Sequence, residues 1–115
     1  MRETTPSYAA RTDMRLLVLI TRTEDTFESV LTTLLDAGIT GATIVESKGL
    51  GSVLRSELPI FTGLTALLPQ DSGSRMIVSI CSMDSIDTLN RHLDQLPVDA
   101  RPVGVVLHVQ GVIGM

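Results

Sequence analysis

Residues 37–51, Ala-Gly-Ile-Thr-Gly-Ala-Thr-Ile-Val-Glu-Ser-Lys-Gly-Leu-Gly, place a helix stop, a strand and a two-glycine exit one after another with no residue to spare. Gly38 follows a run in which Phe27, Val30, Leu31, Leu34 and Leu35 recur at helix spacing, so it reads as that helix's C-terminal cap. From residue 42 to 48 the pattern alternates. Ala42, Ile44 and Glu46 fall on one side and Thr43, Val45 and Ser47 on the other, as in an outer strand. Gly49 and Gly51 close the strand; without a Cβ they let the backbone approach a ligand or adopt φ > 0. On the residues alone, a plain turn and a ligand-approaching loop stand about equal, because a glycine pair is a weak signal.

Working outward, residues 14–21 hold Leu16, Leu17, Val18, Leu19 and Ile20 without interruption, the signature of a strand buried on both faces. Thr23 is placed to cap the helix that follows, and Glu24 and Asp25 suit its positive first turn. The second half repeats the scheme. Residues 75–81 are apolar and β-rich, Ser82 caps a helix with Ile86, Leu89, Leu93 and Leu96 on one face, and Pro97 marks its end. Residues 103–113 supply a last strand through Val105, Val106, Leu107, Val109 and Val112. The order is βαββαβ, which predicts an α+β, ferredoxin-like antiparallel sheet with both helices on one face.

At 115 residues the chain has room for one domain, taken as residues 14–115, with residues 1–13 as a flexible polar leader. Two helices cover one sheet face, yet strands one and three are apolar on both. The bare face therefore requires a cover, and other copies of the chain are the economical one.

Composition excludes several functions. A net charge of −4, with Lys48 the sole lysine among nine basic side chains, leaves no basic stripe for nucleic acid, and 3% aromatic residues leave no stacking platform. The single cysteine, Cys81, rules out an intramolecular disulfide and a Cys-x-x-Cys metal site; in an apolar run it reads as a buried small hydrophobe of a reducing cytoplasm. No metal site and no membrane insertion are expected, since no apolar run reaches the roughly 18 residues of a spanning helix. His92 and His108 have no nucleophile or carboxylate partner evident in sequence, so no catalytic residue is assigned and the chain is read as a non-enzyme. Asp84, Asp87 and Asp94 read as the solvated face of the second helix. Residues 51–73 carry Val53, Leu54, Leu58, Ile60, Phe61, Leu64, Leu67 and Leu68, too apolar for a solvated loop; packing on the chain's own assembly and docking of a partner are both open.

Residues 37–51 resemble the segment with which PII signal-transduction proteins leave their first helix, form strand two and begin their long T-loop. The resemblance extends over residues 15–113 in the same βαββαβ order, and Leu58-Pro59-Ile60-Phe61 is similar to an Ile-Pro-Ile-Phe-like segment of PII-like proteins with a modified T-loop. It implies a homotrimer whose three sheets close around an axis, with ligands in clefts between subunits. Thr43 matches a threonine near the adenine of bound nucleotides, and Gly49 and Gly51 match the glycines near the phosphates. The family's glycine- and lysine-rich loop before strand four is replaced by residues 96–103, with Val103 in the lysine's place, and of its C-terminal arginine pair one position falls on Gly114 and the other beyond Met115. Lys48 and Arg101 leave positive charge for a mono- or diphosphate or another small anion.

The resemblance thus implies a regulatory protein of the kind associated with nitrogen control. Its small-molecule effector, with ADP, AMP and ATP as candidates, would bind through Thr43, Lys48, Gly49, Gly51 and Arg101. It would control a membrane transporter or enzyme through the T-loop equivalent at residues 50–74, with Leu58, Ile60, Phe61 and Leu64 as the partner surface. The alternatives are a ligand-free structural or interaction module and a small ferredoxin-like enzyme.

Overall fold

The computed structural model describes residues 12–50, 53 and 74–114. Strand β1 (Met14–Thr21) is followed by helix α1 (Glu24–Asp36), β2 (Thr43–Ser47), β3 (Ser74–Ser82), helix α2 (Met83–Leu93), a 3₁₀ turn at Val98–Ala100 and β4 (Val103–His108). The sheet runs β2-β3-β1-β4 with every neighbouring pair antiparallel. That is the expected α+β, ferredoxin-like arrangement, in which each helix crosses between strands that are not neighbours.

Both helices start where their caps dictate. Thr23 Oγ1 accepts from the Thr26 N–H at 3.2 Å, and Ser82 Oγ accepts from the Ser85 N–H at the same distance. Helix α1 stops at Gly38, whose φ of 81° opens a left-handed turn; Ile39 N–H returns to the Leu34 carbonyl at 2.9 Å and its side chain is buried. Leu35, expected on the apolar stripe, is 64% exposed, because the stripe that meets the sheet is carried by Thr26, Val30, Thr33 and Leu34.

Register fixes the faces. Leu19 pairs with Ile77 and with Gly104, and Leu17 with Ser79 and Val106, all beneath the helices. Here Leu17, Leu19, Ile77 and Cys81 pack with Val30 and Leu34 of α1 and Ile86 and Leu89 of α2 in one core cluster. On the reverse face, Thr43, Val78, Val18 and Val105 form one cross-strand row, Val45, Met76, Ile20 and Val103 a second, and Ile80, Leu16 and Leu107 a third. Among the described residues no helix covers these rows, and Ile20, Ile80, Val103, Val105 and Leu107 are exposed.

Strand β4 ends earlier than its apolar run. It was expected to reach residue 113, but pairing stops at His108, opposite Arg15, because β1 offers only Met14 beyond that point. Val109 leaves the strand, while Val112 makes an isolated bridge and is buried. Strand β2 is likewise one residue shorter at each end than its alternating run. Among the described residues no helix is long and apolar enough to cross a membrane. The leader at residues 1–11 and the T-loop equivalent, apart from residues 50, 53 and 74, lie outside the described residues.

Candidate functional site

The candidate site begins at the β2 edge. Ser79 Oγ, buried on β3, donates to the Gly41 carbonyl and so fixes the approach to β2. Thr43 stands opposite Val78 and is therefore on the uncovered sheet face, exposed. Lys48 is exposed just past the strand. At Gly49 the chain passes directly into a helical turn: its carbonyl accepts from the Val53 N–H at 3.1 Å, and Leu50 and Val53 are helical. Positive φ among the described residues occurs at Gly38 and Gly114 and not at Gly49, so the missing side chain there matters for close approach rather than for a left-handed turn. Gly51, Leu58, Ile60, Phe61 and Leu64 lie outside the described residues.

Arg101 is on the other side of the sheet. Its Nε donates to the Leu96 carbonyl at 3.0 Å and its Nη2 to the Asp94 carbonyl at 2.7 Å, holding the loop against the C-terminal end of α2, where a cation is favoured. Strands β3 and β1 separate β2 from β4. Three strand spacings amount to about 14 Å. Thr43, Lys48 and Gly49 thus follow one another along the β2 edge, Thr43 roughly 16 Å from Lys48 in an extended strand, and Arg101 lies beyond the opposite edge. A second copy presenting its β4 edge beside this β2 edge would reunite the set.

A groove of about 440 Å³ separates α2 from β4 and lies on the helix side of the sheet. Its floor is Leu17, Leu19, Leu89 and Val106, and its rim is Asp87, Asn90 and Asp94 of α2 with Arg101 and Pro102 of the loop. Gly104 lines the groove without adding a side chain, and Leu19 takes the space beside it: its Cδ2 methyl lies 2.5 Å from where a Cβ would stand. Asp87 and Asp94 are exposed, as expected of a solvated helix face, but sequence reasoning missed that they border a cavity. The available signal was Gly104 inside a valine-rich strand, a mark of close approach.

Arg75 pairs with Glu24 and lies 4.4 Å from the Phe27 ring centroid, joining β3 to the start of α1. His92 is half-buried on α2 and His108 is exposed at the end of β4. Cys81 is buried, which pushes its thiol above the ordinary value despite an opposing hydrogen bond with Ser79. No group of three or more His, Cys, Asp or Glu able to hold a metal ion occurs among the described residues.

No protein-family model matches the chain, and neither does any curated protein. Among solved structures the chain is similar to a complex of B. subtilis GlnK with ATP, at 17% identity and a TM-score of 0.45, over 85% of this chain and 86% of that one. The ferredoxin-like assignment rests on the strand order and register described above.

Proposed function

We propose that this chain is a PII-like regulatory protein. It assembles as a homotrimer, binds a small effector between subunits and acts on a transporter or enzyme through residues 50–74. It is not an enzyme. The reading is supported chiefly by the uncovered apolar face, whose three rows span all four strands. A face of that kind needs a cover in water, and a ring of identical sheets supplies one with the same surface three times.

Closing the sheets on one another also brings edges of neighbouring copies together. Thr43, Lys48 and Gly49 on one edge and Arg101 beyond the other are the two halves of a candidate cleft that a single chain does not contain. Adenine nucleotides are the first candidates for it, the mono- and diphosphate ahead of ATP, because Lys48 and Arg101 carry only two positive charges between them. Residues 50–74 leave from the Gly49 end, so an effector there would bias the conformation of that segment and hence its hold on a partner.

Light scattering on the full chain, with calorimetry against AMP, ADP, ATP and cyclic dinucleotides, tests the reading. A trimer that gives heat with one of them supports it. A monodisperse monomer at micromolar concentration overturns the assembly, and a trimer silent toward all of them overturns the nucleotide assignment.

A further inference from the structure

We infer that the groove between α2 and β4 is a binding site for a small molecule with an apolar body and an ammonium head. It is built within one chain, so it does not rest on the assembly proposed above. It also opens on the helix side of the sheet, opposite the face given to self-association.

The size and lining fit a small ligand. A volume of about 440 Å³ falls within the usual range of small-molecule pockets, and a floor of Leu17, Leu19, Leu89 and Val106 offers hydrocarbon and no polar atom to orient a polar body. The rim sets the sign of the head group. Asp87 and Asn90 of α2 and the helix's C-cap Asp94 follow one another at i, i+3 and i+7, along a single face. None of the three side chains has a hydrogen-bond partner among the described residues, so two carboxylates and an amide oxygen are available as acceptors.

Arg101, the one cation on the rim among the described residues, already donates two hydrogen bonds to carbonyls at the end of α2 and offsets the negative end of that helix. An anionic head would therefore face two carboxylates with a largely committed guanidinium. An ammonium head would receive charge-assisted hydrogen bonds from Asp87 and Asp94 while its hydrocarbon filled the floor.

The test uses hexylamine, with hexanol and hexanoate as neutral and anionic counterparts of the same body, titrated into the uniformly ¹⁵N-labelled chain. Hexylamine is expected to shift the amide signals of Asn90 and Gly104 saturably, with Kd of about 1 mM, a usual strength for seven heavy atoms. Hexanol is expected to bind at least about fivefold more weakly and hexanoate more weakly still, as removal of the charge-assisted bonds requires. The double variant Asp87→Asn/Asp94→Asn, altered only at exposed side chains, should bring hexylamine down to the level of hexanol and leave hexanol unchanged. Hexanoate binding as tightly as hexylamine overturns the inference. So does the absence of saturable shifts at Asn90 and Gly104 by about 20 mM, or shifts confined to Val18, Val78 and Val105 on the opposite face.

Discussion

The two faces of the sheet are built from the same kinds of side chain and end in opposite environments. On β1, Leu17 and Leu19 are 3% exposed while Ile20, one position away, is 39% exposed; on β3, Ile77 is fully buried and Ile80 is 42% exposed. Hydrophobicity does not separate them. What separates them is that Val30 and Leu34 of α1 and Ile86 and Leu89 of α2 meet one face only. The helix-covered face thus stabilises the single chain, while among the described residues no helix covers the other, which is the face the proposed assembly would bury.

That contrast breaks most sharply in the core. Replacing Ile77, which touches both helices' cluster, by alanine should cost about 3–4 kcal/mol through lost transfer energy and the cavity left behind, read as a fall in the denaturation midpoint. An equal loss from Val105→Ala on the open face, measured on the dissociated chain, would mean that the faces are not different in kind.

The converse substitution is Val105→Glu. At the β4 end of the uncovered row Thr43, Val78, Val18 and Val105, it should leave the far-ultraviolet circular dichroism of the chain intact and weaken self-association at least about a hundredfold, roughly 2.7 kcal/mol. An unchanged mass by light scattering would remove this face from the assembly.

A smaller effect distinguishes the groove from the packed part of the covered face. Gly104→Ala brings a methyl to 2.5 Å from Leu19 Cδ2 and 3.3 Å from the Val18 carbonyl oxygen, but the closer clash is with the end of a side chain beside open volume. The cost should stay at about 1–2 kcal/mol, at the lower end of overpacking, with Leu19 turning into the groove. A loss like that of Ile77→Ala in the denaturation midpoint would show that the groove has no such freedom.

Much of this architecture was legible in sequence, and the misses have common causes. The caps at Thr23 and Ser82, the stop at Gly38 and the strand at residues 14–21 are local signals, and each element formed where its own residues placed it. Strand β4 was overextended because its length is set by β1: Val109 and Val112 are as β-prone as Val105 but have almost no partner to pair with. Leu35 was misplaced because helix periodicity alone does not say how wide a stripe the sheet will meet. The place of Thr43, Lys48 and Gly49 along one edge followed from the alternating run and the glycine exit. The separation of Arg101 from it did not, because strand order, not spacing along the chain, sets the distance between edges. The groove's rim was invisible for a similar reason, since exposed aspartates on a helix look alike until the strand beneath proves to carry a glycine.

The smallest predicted effect lies at the margin of the covered face, at Cys81. Its thiol is held neutral above the ordinary value by burial at the edge of the core cluster, with the Ser79 hydrogen bond acting in the opposite sense. In the unfolded chain the thiol ionises near its ordinary value of about 8.5. The folded form keeps its proton to higher pH, so above that value the unfolded state binds fewer protons and stability falls as pH rises. The contribution is fully present below about pH 8 and is lost between the unfolded value and the raised folded one. Comparing denaturation midpoints of the chain and of Cys81→Ala from pH 7 to 10 isolates this group from tyrosine and lysine titration. The difference between the two should be flat at first and then shift against the native chain as the thiol ionises when unfolded. A pH-independent difference would show that Cys81 is solvated, and would place the margin of the covered face two residues earlier on β3, at Ser79.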